Sequence, residues 1–330
     1  MAPEFDVIPM VSIHPSRLNF YSRIEWNPYR PKRDPSIHLK NVDNNHHGKV
    51  SSVAKRKISK AIEYLLFLAN EKVLPNTAHG KSYSFKLAFV TLTLPSRQIH
   101  SDQEIKAKCL NQMLIEMRKK WNVRNYIWRA EKQANGNIHF HILVDKFIPW
   151  SELRDSWNRI TNKLDYVNNY RKEMVRFHSG GFKVRSELLR SWEYKAQIRA
   201  YKRGKLNDWS SPNSTDIHSI HKVKNIKAYV CKYVSKDEQS AGLSGRLWGC
   251  NYELSDIPGA QLIIDSHISD AINRLFDKHK PKVYDGAYFS TAVITFDMLT
   301  DSDSNELFKA FGQFILSHFN KHLQYKVGIH

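Results

Sequence analysis

Two histidines separated by one residue form the first pattern in the sequence that could do chemistry. His139 and His141 lie in the run NIHFHILVD, residues 137–145, which has the composition of a β-strand. Alternate residues of a strand point to the same face, so both imidazoles would project together, about 6–7 Å apart. Such a pair can bind one metal ion, but the pattern taken alone also fits two surface histidines on a half-exposed strand.

A carboxylate on the preceding predicted strand, Glu131, would complete a metal site. Residues 125–133 also have the composition of a strand, and Asn135-Gly136 before residues 137–145 favours a tight hairpin. With the turn centred there, Glu131 pairs with the histidine strand and its carboxylate can approach the imidazoles, whereas a one-residue slip would turn it away. Two imidazoles and one carboxylate with open positions suit a divalent ion such as Mg²⁺ or Mn²⁺. The alternative is a solvent-facing carboxylate that only balances Arg129 or Lys132.

Two tyrosines form the third pattern. Tyr229 and Tyr233 lie in NIKAYVCKYVSKDE, residues 225–238, which predicts a helix with both phenols on one face. A phenolate can attack phosphate, but its high pKa calls for help from a metal or a nearby cation, and Lys232 and Lys236 are close in sequence. The alternative is a pair of aromatic residues on the core face of a helix.

The elements that would position these residues alternate irregularly along the chain. Residues 1–50 hold six of the twelve prolines and are expected to be irregular, and residues 242–254 are expected to form a glycine-hinged loop. Ser101 is the expected N-cap of a helix, with Glu104 at the capping-box position. Helices are predicted over residues 51–73, 101–121, 150–164, 225–238 and 304–323, and strands over 85–95, 125–133, 137–145, 214–225 and 287–299. This order predicts an α+β fold with a central antiparallel sheet, in which the histidine strand is central and the tyrosine helix crosses the ligand face.

The charge favours a nucleic-acid partner. Lysine and arginine number 51 against 32 acidic residues, a net charge of +19. No apolar run is long enough to span a bilayer, and the first residues do not resemble a signal peptide. The three cysteines are scattered, which argues against a disulfide framework or a structural zinc site and fits a reducing cytoplasm. AHGKS is not a Walker A motif, because Pro75 stands where its first glycine should be.

Residues 166–209 combine cations with aromatic rings. They contain 11 Lys or Arg residues, 4 acidic residues and 8 aromatic residues. Cations can hold the phosphates of a single strand while rings stack on its bases, although two ordinary amphipathic helices with solvated basic faces would look the same. The residues we expect to contact DNA are Lys236, Arg171, Lys172, Arg176, Lys183, Arg185, Arg199, Lys202 and Arg203.

Three motifs in order resemble those of the HUH endonucleases. They are FVTLTLP, then Glu131 with HFHILVD, then YVCKYVSK, and the last is most similar to the two-tyrosine group. That group includes the gene A initiators of single-stranded-DNA phages and bacterial plasmid Rep proteins. The later GRLWGCNYEL is also similar to the segment after the tyrosine helix in such proteins. The resemblance covers about residues 83–250, with an unusually long interval between the second and third motifs.

The resemblance implies a role for each matched residue. His139, His141 and Glu131 would bind the metal, and the sheet would be HUH/RRM-like. Tyr229 and Tyr233 would be the nucleophiles, and Lys232 would hold or polarise the phosphate. The first motif, which contains Thr91 and Thr93, would be structural.

The resemblance also implies a biological task. The protein would nick single-stranded DNA at an origin, leave a 5′-phosphotyrosine and a free 3′-hydroxyl, and later rejoin the ends to finish rolling-circle replication. Origin DNA and a host polymerase and helicase would be its partners, in the cytoplasm of a bacterial host cell. Alternatives are an HUH transposase or relaxase with the same chemistry, or a non-catalytic single-stranded nucleic-acid binding protein.

The predicted organisation has three parts. Residues 1–80 would form an arm and a helix, and residues 81–250 the endonuclease domain. That domain would contain a basic insertion at about 150–215. Residues 251–330 would form a C-terminal strand and helix.

Overall fold

The computed structural model describes residues 5–14, 17–26, 50–69, 72–76, 81–190, 192–220, 242–255, 260–286, 289–295, 298–300 and 302–303. The chain forms two units: residues 1–44 with 256–330 make the terminal unit, and residues 45–255 make the central unit. None of the helices in the described residues is both long and apolar enough to cross a membrane. The architecture is α+β in both units, as the sequence predicts.

The elements are numbered in chain order. The strands are β1 Phe5–Ile13, β2 Arg17–Trp26, β3 Lys72–Asn76, β4 Lys81–Phe85, β5 Ala88–Thr93, β6 Tyr126–Lys132, β7 Ile138–Val144, β8 Thr215–Ser219, β9 Trp248–Cys250, β10 Ala260–Ile263, β11 Val283–Gly286 and β12 Phe289–Thr295. The helices are α1 Ser52–Leu68, α2 Asp102–Ile105, α3 Asn111–Trp121, α4 Trp150–Asn162, α5 Tyr166–Phe177, α6 Tyr194–Leu206, α7 Tyr252–Ser255 and α8 Ser266–His279.

The histidine strand β7 lies at the centre of the main sheet, which confirms the prediction. The strand order is β8-β5-β7-β6-β9, and every neighbouring pair is antiparallel. Since β6 and β7 are consecutive, their pairing needs only a short turn. β8 and β9 occupy the two edges, so the chain between them must join opposite sides of this sheet.

The β6–β7 turn fixes the register that the site depends on. Gly136 has φ +81°, a left-handed conformation that glycine adopts without strain. The Gln133 amide donates to the Asn137 carbonyl at 2.8 Å, and the Asn137 amide donates to Asn135 Oδ1 at 3.0 Å. This turn places Glu131 directly opposite His139. The Asn-Gly pair predicted the hairpin and a pairing of Glu131 with the histidine strand, and the structure adds the exact register.

The helix α4 packs against the sheet face that does not carry the histidine rings. Phe140 is fully buried there and makes edge-to-face contacts with Trp128 and Trp157. The Trp157 indole N–H donates to the Thr93 carbonyl at 2.7 Å, which ties α4 to β5. Burying rings of this size is a large source of stability for this side of the sheet.

The helix predicted over 101–121 contains an interruption that the sequence does not reveal. Ser101 caps it as predicted, because its Oγ accepts the Glu104 amide at 3.2 Å. Between α2 and α3, Lys106–Leu110 forms a π turn. Nothing in the local hydrophobic spacing distinguishes a π turn from continued α-helix.

Two further element predictions need correction. α1 begins after its N-cap Ser51 but ends at Leu68, and Lys72–Asn76 forms β3 instead of continuing the helix. The expected loop at 242–254 contains β9 and most of α7. β9 forms because β6 has a free edge: the Ala130 amide donates to the Leu247 carbonyl at 2.8 Å, and pairing continues to Cys250.

The basic block 166–209 contains α5 and α6, and its chain then returns to the sheet beside the histidines. The Ser214 carbonyl accepts both the Thr93 amide at 2.8 Å and the Thr93 Oγ1 at 3.0 Å. Thr93 pairs directly with His139 across β5 and β7. The end of this insertion is therefore fixed next to the histidine strand.

The expectation that residues 1–50 are irregular is wrong for Phe5–Ile13 and Arg17–Trp26, and most of the other residues up to 50 lie outside the described residues. β1 and β2 form a long hairpin in a five-stranded antiparallel sheet of order β10-β1-β2-β12-β11, with α8 as its helix. Pro9 is tolerated because β10 pairs with β1 only from Met10 onward, so the missing Pro9 N–H breaks no ladder there. Val11, Ile13 and Phe20 are buried, which shows that alternating apolar residues outweighed the proline content.

In the terminal unit, the strand predicted over 287–299 is confirmed as β12, whereas β10, α8 and β11 were not predicted. The helix predicted over 304–323 lies outside the described residues.

Candidate metal centre

Glu131, His139 and His141 form a cluster that could hold a metal ion. The Glu131 Oε2 atom lies 3.4 Å from His139 Nε2 and 3.3 Å from His141 Nε2. The three ligand atoms all lie within 4.8 Å of one another. Ligands bound to one divalent ion at about 2.0–2.4 Å stand about 3–4 Å from their neighbours, so the donor set fits such an ion.

The β6–β7 pairing brings these three side chains together. Glu131 is opposite His139, and the two histidines are alternate residues of β7, so all three project from one face. The imidazole centroids are 4.6 Å apart. Each histidine side chain is 15% exposed, whereas that of Glu131 is 3% exposed. The carboxylate thus forms the floor of the site, and the imidazoles form its accessible rim.

The two histidines, together with a buried arginine, keep the carboxylate charged. Arg129 is opposite His141 on β6, its side chain is fully buried, and its Nε lies 3.2 Å from Glu131 Oε1. Burial alone would raise the pKa of Glu131, but the contacts from His139 and His141 and the charge of Arg129 lower that pKa to about 2. Glu131 is therefore ionised at neutral pH, as a metal ligand must be.

From the sequence, Arg129 was recognised only as a charge that Glu131 could balance. Its position two residues before Glu131 on one strand placed both on the same face. Its complete burial could not be read from the sequence.

Two buried atoms of the cluster lack a hydrogen bond within the described parts of the chain. They are His139 Nδ1 and Glu131 Oε1, the second of which meets Arg129 as an ion pair without hydrogen-bond geometry. Neither atom is among the three that converge, which are Glu131 Oε2, His139 Nε2 and His141 Nε2. The support for a bound cation is therefore the donor set itself.

Threonines of the first motif support the imidazoles. Thr91 pairs with His141, and its Oγ1 lies 3.2 Å from His141 Nδ1. Because His141 Nε2 faces Glu131, the threonine holds the other ring nitrogen and fixes the orientation of the ring. Thr93 is opposite His139 but directs its hydroxyl to the Ser214 carbonyl.

The same face carries two polar residues that were not predicted from the sequence. His218 and Asp216 lie on β8, opposite Phe89 and Thr91, and their side chains are 3.5 Å apart. The Phe89 ring bridges the two histidine positions, with its centroid 5.0 Å from His141 and 5.4 Å from His218. Their alternation in the run TDIHS was the available signal, since it gives both side chains one face.

The predicted nucleophiles Tyr229 and Tyr233 lie outside the described residues, as do Lys232 and Lys236. The described chain on either side is fixed to the same sheet, at β8 and at β9.

Where the described chain resumes at residue 242, a polar cluster holds it near Ser244. The Ser244 carbonyl accepts Lys106 Nζ at 2.6 Å, and the Ser244 amide donates to Asp102 Oδ2 at 3.2 Å. Lys132, the next residue after Glu131, donates to Asp102 Oδ1 at 2.8 Å. The return of the chain is thus tied to the end of the strand that carries Glu131.

The other predicted DNA contacts all lie in the insertion. Arg171, Lys172 and Arg176 are on α5, Lys183 and Arg185 come after it, and Arg199, Lys202 and Arg203 are on α6. All are exposed except Arg185, which is half-buried with its guanidinium over the Phe177 ring.

Comparison with known proteins adds a family to this geometry. Residues 87–238 match the model of a family described as replication-associated protein ORF2. The matched segment contains β5 to β8, the insertion and the metal cluster, and it stops before β9. No curated protein and no solved structure was found to match the chain.

Proposed function

We propose that the protein is a replication initiator that nicks single-stranded DNA at an origin through a tyrosine. The observation that carries the proposal is the cluster of Glu131, His139 and His141 on one sheet face. The match of residues 87–238 to a replication-associated family supports the biological task. A basic chain of net charge +19 supports DNA as the substrate.

The three ligands would hold Mg²⁺ or Mn²⁺, which would supply Lewis-acid polarisation of the scissile phosphate. The contacts of His139 and His141, with the charge of Arg129, keep Glu131 ionised, and Thr91 holds the His141 ring in place. The exposed edges of the imidazoles leave room for a phosphate to approach from solvent. These residues bind and orient, and none of them needs to act as the nucleophile.

The nucleophile would be Tyr229 or Tyr233. The phenol loses its proton and its oxygen forms a bond to phosphorus, while the bond to the 3′ oxygen breaks and that oxygen takes up a proton. The products are a 5′-phosphotyrosine and a free 3′-hydroxyl, which primes a host polymerase behind a host helicase. Lys232 would balance phosphate charge during the attack.

Rejoining reverses the same step. A 3′-hydroxyl attacks the phosphotyrosine and releases the phenol, so no external energy source is required. A second tyrosine one helical turn away can cut the regenerated origin before the first is released.

A covalent-adduct assay tests the proposal. The full chain is incubated with Mn²⁺ and labelled single-stranded oligonucleotides that tile the DNA element encoding it, then run on a denaturing protein gel. We expect a labelled protein band that disappears with EDTA and in the Tyr229→Phe/Tyr233→Phe variant. The proposal also requires loss of the band in His139→Ala and its retention in the neighbouring His218→Ala.

Four results decide the assay against the proposal. An adduct that survives the double tyrosine change excludes these nucleophiles. An adduct formed equally well in EDTA excludes the metal. Tight binding without any adduct indicates a non-catalytic binding protein, and cleavage only at the ends of a mobile element indicates a transposase.

A further inference from the structure

Four rings of the insertion form a cluster that serves no role in the metal site. His178 lies nearly parallel to Trp209, with centroids 5.8 Å apart and planes 11° apart, and to Phe182, at 6.2 Å and 14°. Tyr201 of α6 contacts the cluster at 4.8 Å from His178 and 5.5 Å from Phe182. These rings come from the chain just after α5 and from the second half of α6 with the turn after it.

The cluster opens on the surface instead of filling a core. Its rings are only half-buried, and they line a pocket whose rim carries Trp192. Trp192 is 36% exposed and the nearby Tyr194, whose ring meets Phe182 edge-on, is 52% exposed. Large rings grouped at a surface mark a binding site more often than scattered ones do. We call the space lined by His178, Phe182, Trp192, Tyr201 and Trp209 the insertion pocket.

The insertion pocket is built by specific backbone and side-chain choices. Trp209 lies against α6 at Gly204, where a Cβ would collide with the indole, and its amide donates to the Gly204 carbonyl at 2.8 Å. The buried Gln197 accepts the Arg185 amide at 2.8 Å and donates to the Arg185 and Trp192 carbonyls. The rings are therefore held in place before any ligand arrives.

The surroundings of the pocket are strongly cationic. Lys183 and Arg185 line it, and Arg199, Lys202 and Arg203 are exposed on α6. Among the described residues of the block 166–209, the ion pairs are limited to that of Arg171 with Asp208. Most cations of this described block are thus not neutralised by an acidic side chain, so the surface complements an anionic chain.

We propose that the insertion pocket binds a nucleobase of single-stranded DNA by stacking, while Lys183 and Lys202 hold the adjoining phosphates. Rings beside cations are the arrangement that binds single strands without reading their sequence, because every base has a stacking face. Duplex DNA does not fit this mode, since its bases are already stacked. The identity of the strand as DNA rests on the proposed function.

The position of the pocket suits a role in guiding the strand. From Trp209 the chain runs to Ser214, whose carbonyl is bonded to Thr93 beside His139. Single-stranded DNA bound at the pocket would therefore lie at the start of the chain segment that leads from Trp209 to the metal cluster. The pocket would grip the strand and would take no part in the bond-breaking step.

Fluorescence anisotropy with labelled oligo-dT, which contains no origin, tests the pocket. Loss of one stacking ring should weaken binding by about 5- to 150-fold in Trp192→Ala and in Tyr201→Ala. Trp150→Ala and Tyr252→Ala remove exposed rings from outside the pocket and should leave the affinity unchanged. Lys202→Ala should reduce the slope of log affinity against log salt concentration by about one unit, because one phosphate contact is lost.

The outcomes separate the pocket from the proposed function. Wild-type affinity in both ring variants would overturn the pocket, as would binding of duplex DNA as tightly as oligo-dT. His139→Ala should bind oligo-dT normally but form no adduct, and the ring variants should form adduct at saturating DNA. Weakened binding in the ring variants with no adduct in the wild type would retain the pocket and reject the nicking proposal. If Tyr201→Ala fails to fold, Trp192→Ala carries the test, because its ring is exposed.

Discussion

Replacing Arg129 with leucine should destabilise the central unit by several kilocalories per mole. The arginine side chain is fully buried and that of Glu131 is 3% exposed, so the change leaves a carboxylate in the interior without its cation. Breaking a buried pair in this way costs about 3–5 kcal/mol. The two histidines still contact Glu131, so we expect the loss of unfolding free energy to lie near the lower end of that range.

An exposed ion pair in the same unit supplies the matched control. Arg118 lies 3.5 Å from Glu253, and their side chains are 71% and 42% exposed. Arg118→Ala should therefore cost less than about 1 kcal/mol. The comparison isolates burial, because both changes remove an arginine from a carboxylate.

Urea unfolding followed by tryptophan fluorescence is the assay. Of the eight tryptophans, Trp26 belongs to the terminal unit and the other seven belong to the central unit, so the signal reports chiefly on the latter. Mn²⁺ at about a hundred times its dissociation constant should raise the unfolding free energy of the wild type by about 2.7 kcal/mol. The gain in unfolding free energy should be larger for Arg129→Leu, because the ion then replaces the positive charge that Arg129 provided beside Glu131.

A double change completes the cycle. Glu131→Gln in the Arg129→Leu background should restore part of the lost stability, because the unpaired charge is gone. Equal losses for Arg129→Leu and Arg118→Ala would refute the reasoning, and so would a double variant whose loss equals the sum of the single losses.

Three other changes give distinct expectations. Thr91→Val removes the hydroxyl from His141 Nδ1 and should weaken Mn²⁺ binding by about 10- to 100-fold in calorimetry. Gly249→Ala places a Cβ against the Trp128 indole and should cost about 1–3 kcal/mol in thermal unfolding. Burial lowers the pKa of Lys106 to about 8, so the folded protein binds fewer protons than the unfolded chain above that pH. Compared with Lys106→Met, the wild type should gain stability as pH rises from 8 toward 10.5, by at most about 3 kcal/mol.

Each of these expectations has a control or a contrary outcome. Thr93→Val removes a hydroxyl bonded to a carbonyl instead of an imidazole, so it should spare Mn²⁺ affinity more than Thr91→Val does. Gly180→Ala meets no atom within 4 Å and should leave the melting temperature unchanged. A stability difference between wild type and Lys106→Met that stays constant across the same pH range would contradict the reasoning for the lysine.

The metal site was predictable because its determinants are local. Asn135-Gly136 set a tight turn, and the turn set the register that faces Glu131 with His139. Period-two alternation then placed both imidazoles on one face. The turn, the register and the alternation each depend on residues that are close together in the chain, so local sequence patterns are enough to predict them.

The terminal unit was not predictable in the same way. Phe20 of β2 pairs with Ala292 of β12, and Met10 of β1 pairs with Ile263 of β10. Partners so far apart in the chain leave no local pattern, and the prolines near Pro9 suggested irregular chain. The π turn and the burial of Arg129 also depend on tertiary packing, which local sequence patterns do not contain.

The central place of β7 has a consequence for how the ligands behave without an ion. Its backbone is hydrogen-bonded to β5 on one side and β6 on the other, so amides at His139 and His141 exchange with solvent only when the sheet itself opens. The edge strands β8 and β9 can fray first without moving the two imidazoles. The ligands are thus preorganised at folding, and ion capture requires little ordering of the chain.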